Sequence, residues 1–350
     1  MIRTTHNLVA SEALRLGDIV TEAPALIVTS PPYPMIAMWD ESFAHESDEV
    51  RLALDAEDGL AAFAAMHDGL DRVWARCFDV LIDGGLICVN IGDAVRSFSG
   101  EFRLYANVAR VTLALERAGF VLLPQIIWRK PANSPTKFMG SGMLPGGAYV
   151  TLEHEAIVIG RKGGLRRPTD SSQRALRRRS AIFWEERNEW YSDLWRLTGV
   201  RQDLPAPAGG SPQRDRSAAF PLELAFRLIA MHSWLGDTVI DPFAGTGTTT
   251  AAAMSLARSS VSLDRNAGML EDAAFRFCQA NSLEALRSRT VARLESHREF
   301  VRKREKPPAH SNRHHGTPVV TAQETDIEIP LLARVTRESA SLVCDYDWKW

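Results

Sequence analysis

The chain has 350 residues, 45% hydrophobic and 24% charged, enough to bury one large core or two ordinary ones. A formal net charge of −2 excludes attraction of a polyanion by the chain as a whole, so such a partner must meet a local patch. Cys77, Cys88, Cys278 and Cys344 lack CxxC spacing, no apolar run is long enough to span a bilayer, and the opening MIRTTHNLVASEALRLGD has no leader-like apolar centre. These features exclude a disulfide framework and a cysteine zinc site, and they predict a cytoplasmic protein away from membranes.

ALIVTS (25–30) is short, β-branched and closed by proline, which predicts a buried strand. Residues 57–79 place Leu60, Phe63, Ala64, Leu70, Val73, Trp74 and Cys77 at helical spacing, and Gly84 and Gly85 then turn the chain into the strand LICVNIG (86–92). ANVARVTLALERAG (106–119) predicts a helix stopped by Gly119. FVLLPQIIWRK and EAIVIGRKG predict two more strands, separated by the glycine-rich GSGMLPGG (140–147). Residues 161–216 change character, being rich in arginine, dotted with tryptophan and closed by the loop DLPAPAGGSPQRDR. FPLELAFRLIAMHS (220–233) predicts a helix, TVI (238–240) a strand, TTTAAAMSLAR (248–258) a helix and SVSLD (260–264) a strand. From Arg304, REKPPAHSNRHHGTP reads as an exposed linker, and HSNRHH (310–315) as a flexible tail rather than a metal site. No repeat is present, and the alternation of elements predicts an α/β protein with a largely parallel sheet covered by helices.

DPFAGTGTT (Asp241 to Thr249) lies between a short strand and an Ala-rich helix. Gly245 and Gly247 let the backbone turn tightly and approach a ligand closely. Nineteen residues past Gly245, Asp264 ends the next strand, where an acid is placed to hydrogen-bond a ribose hydroxyl pair. Position 250 is Thr, so the dinucleotide fingerprint GxGxxG is incomplete, and no lysine follows to make a phosphate-binding P-loop. A nucleoside cofactor without a pyrophosphate remains. S-adenosylmethionine fits, with Asp241 available for its cationic end. A plain strand-to-helix turn accounts for two glycines, but less well for Asp241, Phe243 and Asp264 together.

TSPPY (Thr29 to Tyr33) suits an exocyclic amine on a nucleobase, whose lone pair is delocalised into the ring. Pro31 has no N–H, so its carbonyl is an acceptor with no competing donor, and the Ser30 hydroxyl supplies a second. Pro31 and Pro32 stiffen the turn, which pre-positions both acceptors. Tyr33 offers a flat face on which a base taken out of the duplex can stack. The bland alternative is a proline-rich turn.

TSPPY followed by DPFAGTGTT resembles the amino-group DNA methyltransferases, N4-cytosine and N6-adenine specific, and within them the permuted beta group, whose catalytic motif precedes the cofactor motif. LICVNIGDA, IIWRKPANSP, GAYVTLEHEAIVIGRKG and FPLELAFRLI extend the likeness over roughly residues 14–280. The resemblance implies a seven-stranded, mostly parallel sheet with helices on both faces, S-adenosylmethionine as cofactor, and base flipping. It implies catalytic roles for Ser30, Pro31, Pro32 and Tyr33. It implies cofactor roles for Asp241, Pro242, Phe243, Ala244, Gly245, Thr246, Gly247, Thr248, Thr249 and Asp264, with Asp18 (beside Gly17) near the adenine and Phe220 near the methionine end. Serine at position 30, where many N6-adenine members have aspartate, favours N4-cytosine, with adenine N6 the nearest rival. A protein or RNA amine methyltransferase is disfavoured by motif order, and an inactive DNA-binding module by the intactness of both motifs.

Arg161, Lys162, Arg166, Arg167, Arg174, Arg177, Arg178 and Arg179 make a basic run expected to track phosphates, where permuted members carry their target-recognition region. The alternative is a solvated face. Trp184, Trp190 and Trp195 read as a small local core, and Glu153, His154 and Glu155 as hydrogen-bonded strand-edge residues. The expected organisation is a catalytic half (1–160), a basic insert (161–216), a cofactor half (217–300) and a linker with an unassigned tail (301–350). The expected partner is double-stranded DNA, with a restriction endonuclease in the same system but no stable complex with it.

Overall fold

The structure, a computed structural model, describes residues 2–130, 145–146, 149–199 and 220–348. GSGMLPGG, apart from residues 145–146, and the loop DLPAPAGGSPQRDR lie outside the described residues. The strands are β1 (Thr4–Ala10), β2 (Leu26–Thr29), β3 (Leu86–Ile91), β4 (Ala94–Phe98), β5 (Glu101–Tyr105), β6 (Val121–Arg129) and β7 (His154–Arg161). They continue with β8 (Leu194–Arg196), β9 (Thr238–Asp241), β10 (Ser259–Asp264), β11 (His310–Ser311), β12 (Pro318–Val319), β13 (Leu331–Glu338) and β14 (Ser341–Asp347). The helices are α1 (Leu16–Ile19), α2 (Asp40–Glu46), α3 (Asp48–Asp55), α4 (Gly59–Val80), α5 (Asn107–Arg117) and α6 (Ser171–Arg179). After them come α7 (Trp184–Trp190), α8 (Leu222–His232), α9 (Thr248–Ser255), α10 (Ala267–Phe277) and α11 (Ala280–Lys303).

Interior strands alternate their side chains between two buried faces, as an apolar run in a covered parallel sheet must. Ile27, Ile87, Val89, Ile91 and Ile240 join Trp74, Cys77 and Val111 of α4 and α5 on one face. Leu26, Val28, Cys88 and Val239 pack on the other against Leu224, Phe226 and Ile229 of α8 and Ala252 of α9. Trp190 and Trp195 belong to this second core, as the sequence suggests, whereas Trp184 lies half exposed beside Phe300.

The main sheet has ten strands among the described residues, in the order β13-β14-β1-β10-β9-β2-β3-β7-β6-β8. From β1 to β3 the neighbours are parallel, while β7 is antiparallel to both β3 and β6. The expected seven-stranded unit is the run from β1 to β6. The additions are β8 on one edge and the β13–β14 hairpin, whose β14 pairs antiparallel with β1. The C-terminal part is therefore folded, contrary to its reading as linker and tail. Asn312, inside HSNRHH, is 2% exposed and donates to the Glu324 and Ile327 carbonyls at 2.8 and 3.0 Å. Strand β1 escapes a hydropathy reading because Thr4 and His6 are buried polar residues, bonded to each other and to Tyr346 and Ser260.

The chain leaves β9 through α9 toward β10, and leaves β2 through α4 toward β3, on opposite sides. Adjacent parallel strands that diverge in this way open a crevice beyond their carboxyl ends, where α/β sheets bind ligands. Both sequence motifs begin there. Among the described residues, no helix is long and apolar enough to cross a membrane.

Candidate active site

The glycine turn follows β9 and is held by backbone bonds to β10: the Ala244 N–H donates to the Leu263 carbonyl at 2.8 Å. Gly245 (φ +50°) and Gly247 (φ +81°) occupy the left-handed region, which L side chains rarely adopt. A Cβ on Gly247 would also lie 3.1 Å from the Phe277 ring, whereas one on Gly245 would meet only the Met269 sulfur, at 4.0 Å. The turn is closed against the core at Gly247 and open at Gly245.

Asp264 accepts the Gly245 N–H at 2.8 Å on one carboxylate oxygen and the Asn266 N–H at 2.9 Å on the other. Each oxygen keeps acceptor capacity for a ligand hydroxyl. Phe243 is half-buried and edge-on to Trp74, with ring centroids 6.2 Å apart. Pro242, Ala244 and Thr246 are buried, and Thr248 opens α9. An open glycine and an aromatic edge on the turn, with the half-buried Asp264 carboxylate bonded to it from the end of β10, fit a nucleoside ligand without pyrophosphate.

Asp241 is 2% exposed. Its carboxylate accepts from the Thr29 hydroxyl at 2.6 Å, the Phe243 N–H at 3.1 Å and the Thr249 hydroxyl at 2.7 Å. It therefore clamps the end of β2, one residue before Ser30, to the start of the glycine turn and of α9. Burial pushes its pKa up to about 6 against the opposing effect of those donors. The sequence reading offers Asp241 to the cationic end of the cofactor and does not foresee this clamp.

Beyond β2, Ser30 is half-buried and Pro31 buried. The loop is pinned from behind by Asn107, which donates to the Pro34 and Gly92 carbonyls, both at 3.0 Å. Asn107 is held in turn by His67 at 2.9 Å. The Tyr33 hydroxyl receives hydrogen bonds from Ser30 Oγ at 3.1 Å and Asn90 Nδ2 at 2.8 Å, and donates to Glu155 Oε2 at 2.8 Å. Asn90 also donates to Glu155 at 2.6 Å, and Lys130 forms an ion pair with the other Glu155 oxygen. Burial, then the Glu155 charge, raise the Tyr33 pKa well above its ordinary value and keep the phenol protonated. A Cβ on Gly92 would approach Glu155 Cγ to 3.0 Å and the Tyr33 ring to 3.3 Å, so glycine there lets the pair close up.

Strand β7 lies between β3 and β6, so Glu155 is not a strand-edge residue but faces the SPPY loop. Sequence reasoning also missed Thr29, Asn90, Asn107 and Lys130 as site residues. The available signal was a lone polar residue, Asn90, in the otherwise apolar LICVNIG. Asp18 sits exposed on α1, paired with Arg15 at 3.4 Å, and Phe220 is buried in the core at the start of α8; no hydrogen bond or ion pair among the described residues ties either to the turn.

The basic run divides. Lys162 donates to the carbonyls of Phe78, Asp79 and Leu81 at 2.8, 3.1 and 2.9 Å, closing the C-terminus of α4. Arg166 makes a two-pronged pair with Asp237 at 2.6 and 2.9 Å and lies over Trp234. Arg178 pairs with Asp326 and Arg179 with Glu328, at 2.8 and 2.6 Å, while Arg161 donates to the Gly163 carbonyl. Arg167, Arg174 and Arg177 are exposed and make no side-chain bond among the described residues.

A profile of the DNA methylase family matches residues 25–275, spanning both motifs. Type II methyltransferase M.MthZI of Methanothermobacter thermautotrophicus is 42% identical over 332 residues, 94% of this chain and 91% of its own. Type II methyltransferase M.MjaI of Methanocaldococcus jannaschii is 42% identical over 273 residues, covering 74% and 87% of the two chains. Among solved structures, TTHA0409 of Thermus thermophilus, determined with S-adenosyl-L-methionine, matches with a TM-score of 0.57 at 29% identity over 78% of this chain and 93% of that one. With the glycine turn and the SPPY loop clamped together at the ends of neighbouring strands, the chain belongs to the DNA methylase family of N4/N6 amino methyltransferases, whose cofactor is S-adenosylmethionine.

Proposed function

We infer that this chain is a site-specific DNA methyltransferase acting on N4 of cytosine in duplex DNA, and that it is the modification enzyme of a type II restriction system. The observation that carries the base assignment is Ser30, a neutral hydroxyl at the end of β2 beside the Pro31 carbonyl, in the position where many adenine-N6 members have a carboxylate. The relatives' description as type II methyltransferases supports the genomic role, with a cognate endonuclease that needs no stable complex with this chain.

S-adenosylmethionine supplies, when bound, a methyl group on an electrophilic sulfonium sulfur. Asp264 would hold its ribose hydroxyls and the Gly245–Gly247 turn would let it approach the backbone. Ser30 and Pro31 accept the two N–H hydrogens of the flipped cytosine amine, freeing its lone pair from the ring. Tyr33 stacks the base, and the Asn107 bonds behind the loop fix these groups in place before the reaction. Asp264→Ala is expected to weaken S-adenosylmethionine binding by about tenfold or more, since it removes the ribose acceptor and releases the Gly245 N–H. Calorimetry with unchanged affinity would move the ribose elsewhere.

DNA contact by the basic segment falls to the three arginines that make no side-chain bond among the described residues. Changing Arg174 and Arg177 to glutamine is expected to reduce the slope of log affinity against log salt by nearly two, roughly 0.9 for each phosphate. Changing Arg178 and Arg179 should instead lower thermal stability, and the reverse pattern would relocate the DNA surface.

Expression in a methylation-free host, followed by single-molecule sequencing, tests the whole reading. N4-methylcytosine at one fixed sequence is expected. N6-methyladenine would move the substrate to the rival base, and unmodified DNA would overturn the enzyme reading.

A further inference from the structure

Stacking uses the ring face of Tyr33, yet its hydroxyl lies at the centre of a chain of polar groups. Hydrogens run in one direction along it, from Ser30 Oγ to Tyr33 at 3.1 Å and from Tyr33 to Glu155 at 2.8 Å. Lys130, whose side chain is 38% exposed, ties Glu155 to the surface, whereas the Glu155 side chain is 13% exposed. We propose that Ser30, Tyr33 and Glu155 form a proton exit leading from the reacting amine to the Lys130 side of the site. This rests on the amine-methylation reading above.

An exocyclic amine that gains a methyl group must lose a proton. The nitrogen lone pair forms the new N–C bond while the C–S electron pair stays with sulfur, leaving the nitrogen positively charged. One N–H proton then passes to Ser30 Oγ, the Ser30 hydroxyl proton to Tyr33, and the Tyr33 proton to Glu155 Oε2. The N–H electron pair returns to nitrogen, and the carboxylate becomes a carboxylic acid. No oxidant, metal or further reactant is needed. Before the reaction, the ionised carboxylate polarises the same chain and makes Ser30 Oγ a stronger acceptor for the amine hydrogen.

The groups around Glu155 suit this role. Asn90 donates to both the phenol and the carboxylate, fixing the order of the chain, and Lys130 lies 4.4 Å over the Trp128 ring while it pairs with the second oxygen. Gly92 adds no side chain between Tyr33 and Glu155. Lys130 only donates, and Asn90 enters both of these bonds as a donor through Nδ2. Within this group of bonded residues, Glu155 alone accepts without also donating.

Glu155→Gln keeps an acceptor for the Tyr33 hydroxyl but cannot take up a proton. Single-turnover transfer of labelled methyl to DNA is expected to slow by roughly 10²- to 10⁴-fold, the range for a positioned acid or base. The affinities for S-adenosylmethionine and DNA should stay within about threefold of wild type. Tyr33→Phe keeps the ring and interrupts the chain, and the double variant should be no slower than the slower single one, because both break one path. A Gln or Phe variant that transfers methyl within threefold of an active wild type overturns the proton exit while leaving the methyltransferase intact. A wild type that methylates no DNA removes the amine reading, and the exit falls with it.

Discussion

Replacing Tyr33 with alanine is expected to slow methyl transfer by at least about a thousandfold while leaving S-adenosylmethionine affinity within roughly a factor of two. Loss of stacking accounts for about 1–3 kcal/mol, or roughly 5- to 150-fold. The remainder is loss of the hydroxyl, which connects Ser30 to Glu155. Among the described residues, no hydrogen bond or ring contact joins Tyr33 to the glycine turn; its polar partners are Ser30, Asn90 and Glu155, so the cofactor site should be left intact. Tyr33→Phe should fall between alanine and wild type, which separates ring from hydroxyl. Single-turnover rates with calorimetry on the same preparations give the comparison. Alanine at a near-normal rate would remove Tyr33 from the chemistry, and a large loss of cofactor affinity would mean that the SPPY loop and the turn are one binding unit.

The turns at Ser30 to Tyr33 and Asp241 to Thr249 were legible in the sequence because their geometry depends on the backbone. Prolines that remove donors and glycines that permit positive φ leave a local signature. Asp264 was legible for the same reason, since its place follows from strand, turn, helix and strand in succession. Glu155 was not, because its meaning comes from pairing. It reaches Tyr33 across 122 residues only because β7 runs antiparallel to β3, with Ala156 opposite Ile91. An isolated glutamate in TLEHEA carries no trace of that register.

The basic run divides into bonded and unbonded members for a related reason. Lys162 and Arg166 look the same in sequence as Arg174 and Arg177. Yet the carbonyls at the end of α4 and the carboxylate of Asp237 lie 71 or more positions away and engage the first two. Charge density is local, whereas its neutralisation is tertiary. The β13–β14 hairpin was hidden likewise, because the strand it completes, β1, buries threonine and histidine rather than an apolar row.

Asp241→Asn is expected to make the protein more stable than wild type at neutral pH and to remove a pH dependence that wild type shows below it. Burial raises the Asp241 pKa from 3.8 to about 6 in the folded chain. Between those values the folded protein holds a proton that the unfolded chain releases, so stability falls as pH rises from about 4 to about 6 and is level above. A rise of about two units corresponds to roughly 3 kcal/mol, which ionised Asp241 costs the folded state at pH 7. Asparagine never ionises and can keep the clamp. Its carbonyl oxygen accepts from Thr29 and the Phe243 N–H, and its amide donates to Thr249, whose hydroxyl already has the Val28 carbonyl at 3.2 Å as a second acceptor. Urea unfolding of both proteins from pH 4 to pH 8 should show a difference that grows through pH 6 and then levels. A constant difference would mean that Asp241 ionises as an ordinary aspartate. The same pair of proteins decides whether the clamp also meets a cationic ligand end: such contact favours the ionised form, so S-adenosylmethionine affinity should rise with pH through 6 in wild type and stay flat in the asparagine variant. Parallel profiles would leave Asp241 as the link that holds the end of β2 to the glycine turn, without a direct part in binding.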